Sequence, residues 1–336
     1  MQANHNVFKV AIGICAWALL LVPAESGAAS PDHISIAHDL IPGPADFRVE
    51  TNGVCRWRSL PILPDSRSQP HYALIRHDGS VAFRNSFWPE GSVQATVMDM
   101  ASLEGGGAVI TAGAIRPDGA IARGFMVVRP DGNTDRFIRT DGFIPRNVAV
   151  GADDSVWIIG RMTSQAFGKL EEGQRVQSGI ARKYSLEGEF LGEHLPLSRF
   201  DDPSLHPTGT NGRGGRTFVR SLRDGIGFYS GMTAEWFELD ADGQLVRRAH
   251  LPAASVLSLA ITSSGRVFAW ISGRRFGTYE LDPAAEAWTA VPGWVGTITA
   301  PPRVGLFYGA RGESLAFQEL PALPNLRFVK APAPAR

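Results

Sequence analysis

Cysteine is almost missing from this chain, and an excess of charge of either sign is missing as well. Only two of the 336 residues are cysteines, and Cys15 lies inside an apolar N-terminal stretch. Without that stretch Cys55 stands alone, which excludes an intramolecular disulfide and a cysteine-ligated metal site. The 33 basic residues balance the 33 acidic ones. This balance argues against a nucleic-acid-binding protein, and the 44% hydrophobic content argues against disorder.

The sequence also lacks an apolar run of the roughly 20 residues that a helix needs to cross a bilayer. The longest such run, residues 10–22, is shorter than this and follows Lys9. Small residues come next, ending with Ala28 and Ala29. This order is that of a secretory signal peptide. We therefore predict a cleaved leader at residues 1–29, a secreted or periplasmic protein, and no membrane span in the mature chain.

Glycine and proline are plentiful, with 37 and 23 residues respectively, and the glycines mark recurring turns. A hydrophobic strand ends in an acidic residue and a glycine, and a second strand follows. Such a pair predicts a β-hairpin, because the left-handed backbone of a tight turn favours glycine. The copies are Asp78-Gly79, Asp131-Gly132, Glu187-Gly188 and Asp242-Gly243, with two degenerate versions at residues 279–284 and 317–324.

Another hairpin precedes most of these copies, so each repeat holds four short strands. Its clearest examples are residues 147–160 and 257–273, and weaker ones are 93–113, 217–231 and 294–309. No stretch between them shows a sustained helical period. Units of this kind predict an all-β fold, a six-bladed β-propeller of four-stranded antiparallel blades. A seven-bladed ring would need one more repeat, and a pair of β-sandwiches would not need the four-strand period.

The markers give blades at about residues 46–88, 91–140, 143–199, 206–252, 253–291 and 293–330. Residues 30–330 then form one propeller domain. The alternating segment 33–38 is expected to pair with residues 326–330 and close the ring, which would cover the exposed sheet edges. The tail, residues 331–336, is rich in proline and alanine and is expected to be disordered.

The segment from Pro145 to Trp157 carries a family resemblance. It holds an apolar strand, the acidic turn Asp153-Asp154, and a strand with an aromatic residue, and residues 257–273 repeat this in part. The pattern resembles the blade repeat of the NHL, gluconolactonase-like and streptogramin-lyase-like propellers. The resemblance implies a toroid with a central channel. It also implies that the second-to-third-strand loops and the loops between blades gather around one channel mouth.

Arginine follows a small residue at the predicted ends of several second strands. The ligand-binding candidates are Arg116, Arg161, Arg274 and Arg311. A ring of guanidinium groups at a concave mouth would favour carboxylate, phosphate, sulfate or polyuronate ligands through bidentate contacts. A simpler interpretation is that these arginines pair with acidic residues at the rim. Arginine is common here, since only four of the 33 basic residues are lysines.

Evidence for catalysis in the sequence is weak. His206 is the leading candidate for a general base, because it lies in a long polar insertion at residues 201–216. A second insertion covers residues 161–178. A metal site like that of the gluconolactonase-like propellers would draw on Glu50, Asp99, Asn147 and Asp153, but the last two lie at opposite ends of one inner strand. We therefore predict no metal and no cofactor.

The sequence favours an exported propeller that acts as a binding or interaction module, expected to be a monomer. Its ligand would be a small molecule, a saccharide or a protein, with an anionic small molecule or saccharide at the channel mouth as the leading idea. The alternative is a propeller hydrolase or lyase that acts on a carbohydrate or a lactone. Nucleic acid is not an expected partner.

Overall fold

The computed structural model describes residues 32–36, 40–41, 45–57, 69–201, 216–251, 256–271, 277–295, 307–318 and 325–333. The predicted leader lies outside these residues, and so do His206, Arg274 and residues 334–336. Strands dominate the described chain, and they assemble into six four-stranded antiparallel units, the first and last of which are joined into one eight-stranded sheet by a parallel pair. The chain is therefore a six-bladed β-propeller, as the repeat count predicted.

The N-terminal part of the described chain holds a single short strand and the first two blades. Strand β1 spans His33–Ser35. Blade one contains β2 (Asp46–Glu50), β3 (Gly53–Trp57), β4 (His71–Ile75) and β5 (Val81–Ser86). Blade two contains β6 (Gln94–Ser102), β7 (Ala108–Ile115), β8 (Ile121–Val128) and β9 (Thr134–Arg139).

Blade three contains β10 (Phe143–Val150), β11 (Val156–Met162), β12 (Gly179–Tyr184) and β13 (Phe190–Pro196). The predicted insertion in this blade folds into two short helices, α1 (Ser164–Gly168) and α2 (Glu172–Gln177). The sequence did not predict them, because helices of five and six residues are too short to display a period. A 3₁₀ turn at Leu197–Arg199 follows β13.

The last three blades complete the ring. Blade four contains β14 (Phe218–Leu222), β15 (Gly225–Ser230), β16 (Glu235–Asp240) and β17 (Leu245–His250). Blade five contains β18 (Val256–Ile261), β19 (Val267–Ile271), β20 (Gly277–Asp282) and β21 (Ala287–Val295). Blade six contains β22 (Phe307–Arg311), β23 (Ser314–Gln318) and β24 (Asn325–Lys330), and β1 is its outermost strand.

The ring closes as the edge argument predicted. His33, Ile34 and Ser35 pair antiparallel with Arg327, Leu326 and Asn325. The ordered chain also continues beyond residue 330, since Ala331 is buried and donates its backbone N–H to the carbonyl of Glu313. Because β1 supplies the fourth strand of blade six, that blade needs only three strands from the C-terminal end.

This closure corrects two sequence-based expectations about the last repeat. Residues 294–309 do not form a first hairpin, because β21 is the fourth strand of blade five and β22 is the first strand of blade six. The degenerate copy at residues 317–324 begins on β23, a second strand. By contrast, all four acidic-glycine pairs lie between third and fourth strands, and their glycines have φ angles from 78° to 90°.

Packing between blades holds the ring together. The described core divides into six clusters of buried apolar side chains, and each cluster draws on two neighbouring blades. Ile34, Val49 and Phe328, for example, join blades six and one. The first strands run around the axis, where Val49 of β2 pairs in parallel with Gly309 of β22. Burial therefore depends on closure, since an open arrangement would expose one of the six interfaces.

The connections define two faces of the ring. We call one side the loop face; it carries the blade-to-blade connections and the second-to-third-strand connections, such as residues 116–120 and 163–178. The other side, the turn face, carries the first-to-second and third-to-fourth turns, such as residues 51–52 and 103–107. Within the ranges described, no helix is long and apolar enough to cross a membrane.

Candidate functional site

The three predicted arginines that the structure describes do not form one ring, and the fourth, Arg274, lies outside the described residues. Arg116 and Arg161 both lie at the loop-face end of a second strand, where Arg116 is exposed and Arg161 is half-buried. Arg311 ends β22, a first strand, and therefore lies on the turn face. Its guanidinium carbon is 3.8 Å from the ring centroid of Phe328. The prediction that Arg161 and Arg311 share one mouth is wrong, because the strand before Arg311 was assigned to the wrong position in its blade.

Two other arginines accompany Arg161, and the sequence pattern missed both. Arg123 lies on the third strand of blade two, and Arg146 lies at a β-bulge between Pro145 and Asn147 on the first strand of blade three. Proline cannot donate a backbone hydrogen bond, which suits it to such a bulge. Residues Arg123, Arg146 and Arg161 are called the arginine cluster below.

The positive charge of Arg161 acts on the pKa values of both other arginines. Burial lowers the pKa of Arg123, and the charge of Arg161 lowers it further. Burial also lowers the pKa of Arg146, with smaller contributions from Arg161 and Arg123. None of the three has a carboxylate partner among the described residues, and the buried Nε of Arg146 has no hydrogen-bond partner there. The cluster is thus a concentration of uncompensated positive charge.

A cavity of about 560 Å³ adjoins the cluster on the loop face, between blades two and three. Its lining includes Arg123, Arg139 and Lys169. Arg139 is neutralised by Asp141, whose Oδ1 is 3.1 Å from its Nη2, but Lys169 has no ion pair within the described part of the chain. Hydroxyl and amide groups complete the wall, contributed by Thr140, Thr163 and Gln165. We refer to this space as the interblade cavity.

The cavity owes its shape to the insertion in blade three. Thr163 caps α1 by accepting a hydrogen bond from the backbone N–H of Ala166 at 3.2 Å. Gly142 has a φ of 73°, and a Cβ atom there would lie 3.3 Å from the Cβ of Ala166. A glycine at this position lets the helix pack close to the connection between blades two and three. The cavity therefore lies away from the axis and not at the channel mouth that the sequence predicted.

A second charged group lies on the axis itself. Arg48 projects from β2 and is 2% exposed. Its guanidinium contacts the carboxylate of Asp99, with Nη1 3.3 Å from Oδ2, and its Nε is 3.0 Å from Oε1 of Glu50. It also donates to the backbone carbonyls of Met100, Val148 and Val219. Burial by itself would lower the pKa of Arg48, but the charges of Asp99 and Glu50 outweigh it and raise the pKa.

The four residues that the sequence offered as metal ligands all contact other protein groups. Glu50 and Asp99 bind Arg48, and Asp99 also accepts hydrogen bonds from Asn147 Nδ2 at 3.2 Å and the backbone N–H of Val148 at 3.0 Å. Asp153 lies in the turn after β10 and pairs with Lys183 at 2.7 Å. No group of three or more histidine, cysteine or acidic side chains within the described ranges is arranged to hold a metal ion.

Comparisons with known proteins report likeness of fold. No family model matches this sequence, and no curated protein does. Similar solved structures include a protein of unknown function from Bacteroides caccae, with 11% identity, coverage of 80% of this chain and 98% of that chain, and a TM-score of 0.42. A streptogramin B lyase shows 11% identity, coverage of 90% and 87%, and a TM-score of 0.46. The WD40 propeller domain of Doa1 shows 8% identity, coverage of 90% and 97%, and a TM-score of 0.40.

Proposed function

We propose that this protein is an exported β-propeller that binds an anionic ligand in the interblade cavity, beside the arginine cluster. The observation that carries the proposal is a group of three guanidinium groups next to an open cavity. None of the three is paired with a carboxylate of the described residues. A guanidinium presents donors in a fork that matches a carboxylate, sulfate or phosphate group. An anion would supply the partner that these side chains lack.

The lining favours an acidic saccharide among the anionic ligands. A cavity of about 560 Å³ is large enough for one or two sugar rings. Thr163 and Gln165 offer a hydroxyl and an amide group that can hydrogen-bond to sugar hydroxyls, while Arg123 and Lys169 offer positive charge. A uronic acid disaccharide would use both kinds of contact.

Calorimetry with digalacturonate tests this proposal. We expect saturable binding that weakens as sodium chloride rises from 50 to 200 mM, because salt screens charged contacts. The uncharged disaccharide galactobiose should bind far more weakly. Arg123→Gln should reduce affinity by about tenfold to a hundredfold, the loss expected for one charge-assisted hydrogen-bonded contact. Arg161→Gln should reduce it less, because Arg161 does not line the cavity and acts on the ligand only through its charge.

Arg116→Gln is the matched control. It removes the same charge from the same face, but Arg116 is exposed and does not belong to the arginine cluster. Its affinity should stay within about twofold of the wild type, as surface charges contribute little. Equal losses in all three variants would point to a general effect of net charge and would refute a defined site. Absence of saturable binding to any uronate, sulfate or phosphate probe would also refute it.

The same samples test the enzymatic alternative. Chromatography of digalacturonate after long incubation with the protein, with Ca²⁺ or with EDTA, would reveal hydrolysis or elimination. Cleavage that requires the divalent ion would favour a propeller hydrolase or lyase over a binding module. Export has its own test, which is the mass of the protein recovered from the periplasm or medium. The proposal predicts a mature N-terminus directly after Ala28 or Ala29.

A further inference from the structure

A second cavity, of about 340 Å³, lies on the propeller axis and opens on the turn face. All six blades contribute the turn-face ends of their first strands to its lining, from Glu50 in blade one to Ala310 in blade six. We call it the axial cavity. It is separate from the interblade cavity, which lies between two blades on the opposite face.

Arg220 of blade four brings an incompletely paired guanidinium into the axial cavity. Its Nη1 donates to the carbonyl of Val219 on its own strand at 2.8 Å, and its buried Nε has no hydrogen-bond partner among the residues that the structure describes. Glu50 and Asp99 are nearby, but both are bound to Arg48. Burial lowers the pKa of Arg220 to about 9, with a smaller contribution from the charge of Arg48. A buried donor without a partner is costly, so a ligand that accepts from it would gain affinity.

The rim of the same cavity carries the opposite charge. Glu104 and Asp154 lie in the first-to-second turns of blades two and three, and both are exposed. Neither has an ion pair in the part of the chain that the structure describes. The cavity thus offers in its interior the guanidinium of Arg220, beside a Glu50 carboxylate that is paired with Arg48, and it has two carboxylates at its opening. Two rim carboxylates disfavour a ligand with several negative charges and favour one with a cationic group.

We propose that the axial cavity binds a small zwitterion, with the ligand's carboxylate on Arg220 and its ammonium group facing Glu104 and Asp154. The volume limits the ligand to a compact molecule, since a cavity of about 340 Å³ is near the lower end of the range for small-molecule sites. Amino acids and other amino carboxylates have this combination of charges and this size. The binding would be independent of the anionic ligand proposed for the loop face.

Calorimetry with a series of amino carboxylates tests the proposal. The probes are glycine, 4-aminobutyrate and 6-aminohexanoate, compared with butyrate, n-butylamine and succinate. At least one amino carboxylate should bind saturably, and butyrate and n-butylamine should each bind about tenfold more weakly, because each lacks one charged contact. Succinate should bind weakest of all. Binding of succinate or butyrate as tight as that of every amino carboxylate would overturn the proposal, as would no saturable binding of any amino carboxylate.

Variants locate the two ends of the ligand. Arg220→Gln should weaken binding of the best probe by about tenfold or more, whereas Arg223→Gln should leave it unchanged. Arg223 lies in the exposed turn of the same blade and does not line the cavity. The double variant Glu104→Gln/Asp154→Asn should abolish the preference for 4-aminobutyrate over butyrate without affecting folding. Asparagine tolerates the left-handed backbone at Asp154, where φ is 58°.

The rim variant keeps the test decisive if Arg220→Gln fails to fold. If Glu104→Gln/Asp154→Asn still prefers 4-aminobutyrate to butyrate as strongly as the wild type, the ammonium group does not face these two carboxylates and the proposal is overturned. Arg123→Gln should bind the amino carboxylates normally, because it lies on the other face. Failure of the digalacturonate experiment therefore leaves the zwitterion experiment interpretable, and the reverse also holds.

Discussion

Replacing the axial arginine Arg48 with an apolar residue tests the most buried ion pair among the described residues. Arg48→Met keeps the length of the side chain and removes its charge and its donors. Asp99 and Glu50 would then lose the cation that both now contact. The carbonyls of Met100 and Val219 would lose a donor as well.

The expected cost follows from this arrangement. Removing one partner of a buried ion pair leaves an uncompensated charge, which typically costs about 3–5 kcal/mol. Arg139→Met is the matched control, because Arg139 and Asp141 form an ion pair at 3.1 Å with side chains 60% and 79% exposed. An exposed pair contributes only about 0–1 kcal/mol. The structure therefore predicts a large loss of stability for Arg48→Met and a small loss for Arg139→Met.

Urea unfolding, followed by tryptophan fluorescence at pH 7, measures both losses. A third variant, Arg48→Met/Asp99→Asn, removes one of the stranded carboxylates along with the arginine. Its free energy of unfolding should exceed the value expected from adding the two single changes by at least about 1 kcal/mol, since residues in contact are coupled. Strict additivity, or a loss below about 1 kcal/mol for Arg48→Met, would refute the axial ion pair.

Four further predictions follow from the described contacts. In thermal unfolding, Gly243→Ala should destabilise the protein by at least about 1 kcal/mol more than Gly119→Ala. The φ angle is 78° at both sites, but a Cβ atom at Gly243 would lie 2.0 Å from Nδ1 of His194, whereas nothing lies within 4 Å of a Cβ atom at Gly119. Cys55 should not react with a thiol reagent until urea unfolds the chain, since burial raises its pKa well above the usual value; a fast reaction in the native state would contradict this. Ile34→Ala should cost about 2–5 kcal/mol, because this 1% exposed side chain belongs to the closing strand; the loss is measured by urea unfolding. Burial lowers the pKa of His77 below its unfolded value of about 6.5, so the folded state binds fewer protons than the unfolded state. Stability should therefore fall as the pH drops through about 6.5. His77→Gln should make the unfolding midpoint depend less steeply on pH in this range.

Local chemistry made the blade architecture predictable. Asp131 and Gly132 form a hairpin turn in any context that allows a left-handed glycine, and the same holds for the three related pairs. The alternation of the closing segment around Ile34 was also sufficient to predict its partner, because an edge strand at one end of the chain needs a complementary edge at the other. These signals depend on neighbours in sequence, which a single chain displays directly.

The candidate sites could be predicted only in part. Arg161 was found from its position after a second strand, but Arg123 comes from the neighbouring blade and Arg146 from a bulge. Their grouping depends on how two sheets pack, which no short-range pattern encodes. The assignment of Arg311 failed for a related reason, since its place in blade six depends on a strand contributed from the other end of the chain.

The sequence by itself indicated the repeated hairpins, a count of six repeats and the segment that closes the ring, because turn chemistry and strand alternation act over a few residues. Only the tertiary structure decided which charges meet. Arg48 finds its partners on blades one to four because closure brings the first strands together around one axis. In the same place the Nε of Arg220 has no hydrogen-bond partner within the described ranges. Contacts between residues that are 51 to 171 positions apart in the sequence are set by that geometry and by no local feature of the chain.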